Sequence, residues 1–480
     1  MSTTRIPSGF NDPIINERLF LDDILNGARS FPEVRCIGEP SIDNPCNENR
    51  VGRFRLADAK ECVTTDWETI NKLKSAEKSI PAFLAAGPRR LLFHDPQKVR
   101  AAIVTTGGIA PGLNSVIHSI VKRHHDVYGL LSGKGKVFGV QDSFLGACDL
   151  YNYRQELTPL ETERWLERGG SMIGMRRFIE NSKEELAAVV SKQLDLNNID
   201  ILYVIGGDGS LSTAHEIAKQ AINVSVVGIP KTMDNDVMWV WESFGFKTAV
   251  EKATEIINTL NAEAESTRRI CLIELFGAES GFVAAHSALA SGHVDLVIIP
   301  EEFLHLSKEQ CEHTLTEYIE YLRAKVKTPP DGEKSHAVVV LAEGATKILG
   351  QKGVELSGKK IDIDGDKECG LLELFKEHLK MQEFKDTRGN KVEVFFNRPR
   401  HYIRASPANP QDKIYCEQLG ALAVDSALAG YTDCMVSQWL TSYVLVPLEL
   451  VANRHKRISP SGIFWKQVLN STGQPTIEYQ

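Results

Sequence analysis

The heptapeptide PKTMDND, Pro230 to Asp236, sets a lysine, a hydroxyl, an amide and two carboxylates directly after a run of valines and isoleucines. Asp234 and Asp236 stand two residues apart, so in an extended loop one can accept a proton from a substrate hydroxyl while the other orients a metal or neighbouring donors. Lys231 and Thr232 suit a transferring phosphoryl group, where catalysis is mostly positioning and electrostatic stabilisation. Two glycine-rich turns accompany this loop. In TTGGIAPGLN, Thr105 to Asn114, the glycines Gly107, Gly108 and Gly112 let the backbone approach an anion, and a helix starting near Asn114 offers unpaired N–H groups. In GGDGS, Gly206 to Ser210, Asp208 stands at a strand end where it can hold a Mg²⁺ that bridges phosphate oxygens. Each stretch also has a plain structural reading: a strand-to-helix turn, an N-cap, an Asx-turn with solvated charges. Two anion turns beside a paired-carboxylate loop favour a phosphate ligand more than any one of them does.

The elements that must carry these stretches are legible from Val99 onward. Short apolar runs ending in glycine or polar clusters alternate with amphipathic segments: VRAAIVTTGG then NSVIHSIVKRHH, and DILYVIGGDGS then STAHEIAKQAI. VSVVGIPKT, RRICLIELFG, VDLVIIPEE, HAVVVLAEG and SYVLVPLEL continue the series. Continuous β-branched runs between helices predict parallel strands covered on both faces, with ligands at their carboxyl ends. Residues 1–96 lack that order and read as an N-terminal extension packed on the body, with INERLFLDDIL a short periodic piece. The stretch from about Thr346 to Arg398 reads as a less regular insertion with one helix, LLELFKEHLKM.

Composition narrows the class. A net charge of -8 and 42% hydrophobic residues describe an ordinary globular protein with no general attraction for nucleic acid or acidic membranes. The nine cysteines are scattered without a CxxC pair, which fits reduced thiols. No secretory signal and no apolar run of membrane-spanning length is visible, so the expected location is cytoplasmic.

GGIAPGLN, GGDGS, PKTMDND and FGFKTAVE, in this order and spacing, resemble the phosphofructokinase A family of 6-phosphofructokinases, in the long branch that mixes ATP- and diphosphate-dependent enzymes. The resemblance spans roughly residues 99 to 465. It implies an α/β fold with two Rossmann-like, doubly wound domains and mainly parallel sheets, the active site lying between them. The nucleotide-binding domain would take residues 97–240 with a return of about 405–450, and the fructose 6-phosphate-binding domain 241–404 with about 451–480. It implies Mg²⁺, ATP and fructose 6-phosphate as ligands, and a homo-oligomer, commonly a tetramer. Residue by residue, Asp234 resembles the general base for the sugar 1-hydroxyl, supported by Thr232 and Asp236, and Asp208 the metal carboxylate. Gly108, Gly207, Gly209, Ser210 and Lys231 match positions along the donor phosphates, as do Arg177 and Phe178 in GGSMIGMRRF, with Arg176 an alternative. Arg269, Phe276, Gly277, Glu343, His401, Tyr402 and Arg404 match the sugar phosphate's surroundings, Arg269 and Arg404 as phosphate-binding arginines.

One feature departs from the family's usual pattern, and two of the family's donor markers disagree. Where the family reads Met-Gly-Arg, this chain has Phe276, Gly277 and Ala278, so a cation is missing that Arg268 or a neighbouring subunit would have to replace. On the donor, Gly209 leaves room for a nucleotide while Lys231 is typical of diphosphate users; we side with ATP, because a carboxylate in place of Gly209 would repel the nucleotide's α-phosphate whereas a lysine can bind either donor. The competing readings are a diphosphate-dependent enzyme, another GGDG kinase such as a NAD or lipid kinase, and a noncatalytic sugar-phosphate-binding paralogue. DIDGDKECGLLE, Asp362 to Glu373, has carboxylates spaced like a calcium loop, but Lys367 occupies the glycine place, which favours a solvated turn. HHD, His124 to Asp126, reads as a helix end, and Trp239 and Trp241 as local packing.

Overall fold

The protein is described here as a computed structural model covering residues 24, 30–130, 134–176, 182–327, 335–356, 358–361, 370–381, 385, 389, 391–451 and 455–477. Two sheets organise it. The β-branched runs become β3 (Arg100–Thr105), β4 (Lys136–Val140), β6 (Ile201–Gly206) and β7 (Ser225–Pro230), which pair in parallel. The fifth parallel strand, β12 (Cys434–Trp439), returns from late in the chain beside β7. Antiparallel strands finish both edges: β5 (Arg154–Glu156) beyond β4, and β13 (Ser442–Pro447), β2 (Ala82–Ala85) and β1 (Lys60–Cys62) beyond β12. The N-terminal segment therefore contributes two strands to the main sheet. SYVLVPLEL, expected among the parallel strands, instead turns back on β12 as a hairpin through Leu440 and Thr441, with Leu440 at a φ of 53°.

Alternating residues of each central strand serve the two faces. Ala102, Val104, Leu202 and Val204 pack with Leu186 and Val190 of α2 (Lys183–Leu196) and Leu211 and Ala214 of α3 (Asp208–Gln220). Ile103, Ile201, Tyr203 and Ile205 pack on the other face with Val116 and Ile120 of α1 (Leu113–Lys122) and Leu419 and Val424 of α10 (Pro410–Leu428). Ile103 is fully buried; truncating such a residue to alanine costs about 2–5 kcal/mol, a large fraction of a domain's net stability.

The smaller sheet is wholly parallel, in the order β9 (Leu296–Ile298), β10 (Ala337–Ala342), β8 (Ile270–Leu275), β11 (Val394–Asn397). One face carries α6 (Lys308–Lys327) and α8 (Leu371–Met381), the latter coinciding with the helix expected from LLELFKEHLKM. The other carries α4 (Phe246–Thr267), α5 (Phe282–Ser291) and α11 (Ile463–Thr472). This is the doubly wound, two-sheet α/β architecture that the sequence implies. Trp239 is buried in T-shaped contact with Phe83 and Trp439, while Trp241 is exposed. The HHD turn closes α1, where buried His124 shares a hydrogen bond with the Tyr203 hydroxyl and burial pushes its pKa down to about 3. INERLFLDDIL lies outside the described residues except for Ile24, and most of the calcium-like turn, 362–369, lies outside them entirely.

Candidate active site

Three strands of the larger sheet, β3, β6 and β7, end in the anion turns and PKTMDND. Three of the smaller sheet, β8, β10 and α7 (Glu343–Gln351) after it, and β11, deliver Phe276 to Glu279, Glu343 and Arg398. The ends face one another across two adjoining cavities. The first, about 660 Å³, is lined by Gly107, Gly108, Gly207, Gly209, Ser210 and Lys231 among others. The second, about 380 Å³, is lined by Glu274, Glu343, Lys347, Arg398, Arg400 and neighbours. Both are bounded by the same five residues: Asp208, Asp234, Asp236, Ala278 and Arg404.

Local chemistry explains why the first cavity suits phosphate. Gly207 caps α3 without a side-chain cap and lies on the cavity wall, so that helix start keeps N–H groups for an anion; the α1 start, capped by Gly112 at a φ of 100°, is buried behind Ala110 and lines neither cavity. Gly107 sits at a φ of 84°, where a side chain would be strained. A Cβ on Gly209 would meet nothing within 4 Å, so this position faces open space. Lys231, only 5% exposed, directs its ammonium at the Gly108 carbonyl oxygen and so ties the two loops together. Burial pulls its pKa down to about 8 against the opposing pull of Asp234.

The loop between the cavities is held by its own polar groups. The Thr232 hydroxyl donates to Asp236 Oδ1 at 2.8 Å, and the Asp234 N–H donates to Thr232 Oγ1 at 3.1 Å. Asn235, at a φ of 56°, accepts from the Ser243 N–H, and the Ser280 hydroxyl donates to the Asp234 carbonyl. Asp234 Oδ1 is buried and makes no hydrogen bond. Burial, followed by the charge of Asp236, raises the Asp234 carboxyl to about 7, with Arg404 and Lys231 pulling the other way. A carboxylate poised near neutrality, unpaired and facing both cavities, is suited to take a proton from a hydroxyl in one while a group in the other is transferred.

Arg404 supplies positive charge at that boundary. Its guanidinium lies 4.2 Å over the Phe276 ring and beside the Cα of Gly108. Asp208 begins α3 with its carboxylate part-exposed, 3.7 Å from His455 Nδ1. On the far wall Glu274, 5% exposed, holds Arg398 at 2.9 Å and Arg400 at 3.1 Å, and Arg400 stands 3.4 Å from Glu343. Burial raises the Glu274 carboxyl, and the two arginines oppose that rise.

Several residues expected here fall elsewhere. Arg269 precedes β8, so it lies at the opposite end of that strand from the cavities, paired with Glu393 at 2.7 Å and Glu263 at 3.6 Å; within one chain it does not reach the site. Arg268 caps the end of α4 at the same far end, so it cannot replace the cation missing at Ala278. His401 and Tyr402 are exposed on the short helix α9 (Arg400–Arg404), whose inward positions, four apart, are Arg400 and Arg404. Gly277 accepts the Ser280 N–H and supports the turn rather than lining a cavity, and Phe276 acts as the platform for Arg404. Arg176 lies 3.9 Å from Asp142 and lines neither cavity; Arg177 and Phe178 lie outside the described residues. Conversely, Glu274, Lys347, Arg398, Arg400 and His455 line the second cavity although sequence reasoning passed them over. FNRPRHYIR, following a strand-like run, was the available signal for two of them.

A family profile described as Phosphofructokinase matches residues 100–427. The chain is 36% identical over 405 residues to an ATP-dependent 6-phosphofructokinase of Borreliella burgdorferi, covering 81% of this chain and 84% of that protein. It is 33% identical to an ATP-dependent 6-phosphofructokinase of Amycolatopsis methanolica, with 95% and 96% covered. Among solved structures, the phosphofructokinase of Pichia pastoris in the T-state superposes with a TM-score of 0.61 at 18% identity, over 86% of this chain and 45% of that one. A pyrophosphate-dependent phosphofructokinase from Marinobacter aquaeolei superposes at 0.58 and 17% identity, over 80% and 94%. At these identities the superpositions speak to the fold alone.

Proposed function

This chain belongs to the phosphofructokinase family, and from that premise we propose that it transfers the γ-phosphoryl group of ATP to the 1-hydroxyl of fructose 6-phosphate, giving fructose 1,6-bisphosphate and ADP, a step of glycolysis. The observation that carries the reading is the pair of cavities sharing Asp234. ATP occupies the glycine-lined cavity and the sugar phosphate the other. Asp234 accepts the proton of the 1-hydroxyl as its oxygen bonds to the γ-phosphorus and the bond to the bridging oxygen of ADP breaks. Thr232 and Asp236 fix the loop, and Arg404 offsets charge at the boundary between the cavities.

Magnesium fits this arrangement. No group of three or more His, Cys, Asp or Glu suited to a metal occurs among the described residues, which argues against an all-protein cage. Asp208 at the shared boundary matches an ion held by one carboxylate and substrate phosphates. Bound there, the ion would neutralise developing phosphate charge.

For the donor, the open space at Gly209 supports ATP, as do the relatives' names. Lys231, the feature favouring diphosphate, is occupied with the Gly108 carbonyl and holds the loops, which weakens it as a donor marker. The family resemblance supports a homo-oligomer, commonly a tetramer, and a neighbouring subunit would be the place from which Arg269 could meet a sugar phosphate. Scattered cysteines, with no disulfide among the described residues, support a cytoplasmic location; no helix among the described residues is long and apolar enough to cross a membrane. Phosphorus NMR of the purified chain with Mg-ATP and fructose 6-phosphate tests the reading. A second phosphate ester on the 1-carbon is expected, and its absence would leave the noncatalytic alternative.

A further inference from the structure

Four consecutive residues from the C-terminal part of the chain pack around the active site, and Lys456 among them bonds the catalytic loop itself. His455 approaches Asp208 at 3.7 Å. Lys456, 7% exposed, donates its backbone N–H to the Asp236 carbonyl at 2.7 Å. Its ammonium donates to Asn235 Oδ1 at 3.0 Å, to the Val240 carbonyl at 2.9 Å and to the Trp241 carbonyl at 2.8 Å. Arg457 pairs with Glu279 at 2.9 Å, next to Ala278. The Ile458 N–H donates to Glu301 Oε1 at 3.0 Å, and the same oxygen accepts the Gly281 N–H at 2.9 Å. Ser280, one residue before Gly281, is the group whose hydroxyl holds the Asp234 carbonyl.

Asp234, Asn235 and Asp236 are thus each held by a group that belongs to this segment or is joined to it through Glu301. Lys456 lines neither cavity, so it has no direct access to a ligand there. Burying an ammonium is costly. It persists here because three acceptors match its three donors and the Phe282 ring lies 5.3 Å away. Asn235, between the two carboxylates, adopts a left-handed φ that asparagine tolerates, and its side-chain oxygen is held there by Lys456 and the Ser243 N–H.

We propose that His455–Ile458 is a positioning strap for the catalytic loop, with Lys456 as the positioning residue that fixes Asn235 and Asp236, and Glu301 as the anchor joining the strap to the Ser280–Gly281 turn behind Asp234. The inference rests on the kinase reading of the site. A loop displaced by about 1 Å can lose about 100-fold in rate, so the strap acts on turnover more than on binding.

The test uses the full chain carrying Lys456→Met, Glu301→Ala, Glu301→Gln and the Lys456→Met/Glu301→Ala pair. Steady-state kinetics with ATP and fructose 6-phosphate should show kcat lowered about 10- to 100-fold in Lys456→Met and Glu301→Ala, with both KM values within about threefold. Glu301→Gln keeps an oxygen for both N–H donors and should restore kcat to within about threefold of the parent. The double variant should lose little beyond the worse single one, because both cut the same strap. Unchanged turnover, KM values rising in step with the loss of kcat, failure of the glutamine to rescue, or multiplicative losses would each overturn the proposal. Hydrogen exchange at the amides of residues 232–243 separates this from the kinase reading: faster exchange in Lys456→Met is expected whether or not the parent turns over, and unchanged exchange refutes the strap.

Discussion

Replacing Asp234 by asparagine should abolish most activity and at the same time stabilise the fold at neutral pH. The unpaired Oδ1 means that no side-chain hydrogen bond from that oxygen is lost. Burial and Asp236 raise the carboxyl from 3.8 to about 7. At about 1.36 kcal/mol per pH unit, ionising it in the folded state costs up to about 4 kcal/mol. Water from the two cavities and local relaxation reduce that figure, so about 1–3 kcal/mol is expected. The sign follows from proton linkage: a carboxyl raised by folding lends its stability at low pH and loses it as pH climbs through the folded value. The asparagine advantage is therefore full at pH 8, less than half of that at pH 5, and absent below about pH 4. Urea denaturation at pH 8 and pH 5, alongside a product assay, measures both effects. The expected result is a higher midpoint at pH 8, a smaller difference at pH 5, and kcat lower by about 10²–10⁴. A variant equally or less stable at pH 8, or one whose kcat stays within about tenfold, would refute the reasoning.

Three other outcomes follow from the same geometry. The pH profile of kcat/KM should rise through an acid limb near 7, as Asp234 loses its proton, and fall through an alkaline limb near 8, as Lys231 loses its own; Lys231→Met should remove the alkaline limb. Gly209→Asp places a carboxylate in open space, so melting should be nearly unchanged while the KM for ATP rises at least about tenfold; an unchanged KM would show that this position does not face the nucleotide. Arg404→Gln removes a cation that pulls the Asp234 carboxyl down, so the acid limb should move to higher pH with kcat/KM lower by about 10- to 100-fold, read from the same profiles.

The strand ends were legible because each loaded stretch directly follows its strand, so local order and spatial order coincide. Asp208, Lys231, Thr232, Asp234 and Asp236 meet for that reason. Arg269 shows the limit. It precedes its strand, and in a parallel sheet that fixes it at the end away from the cavities, whatever its motif suggests. His401 and Tyr402 turn outward because a single helical turn presents only positions four apart to one side, and Arg400 and Arg404 take them. The strap could not be read at all: Lys456 meets the Asn235 side chain across more than two hundred residues, and its other two acceptors are the backbone carbonyls of Val240 and Trp241, which leave no trace in residue type. Likewise Glu301 and Glu302 look like the solvated end of VDLVIIPEE, yet both are 1% exposed, each held by specific donors. The β12–β13 hairpin was missed because its turn, Leu440 and Thr441, lacks the Asn-Gly or Asp-Gly pair that announces one.

The central claim is that an ATP-sized donor site and a sugar-phosphate site meet at one base. The most direct test compares initial rates of fructose 1,6-bisphosphate formation by the unmodified protein, with magnesium, from ATP and from diphosphate at matched concentrations. Rapid formation from ATP and little from diphosphate is the expected result. Preference for diphosphate would contradict the reading of Gly209 and restore Lys231 as the donor marker, and no product from either would contradict the assignment of Asp234 as a working base.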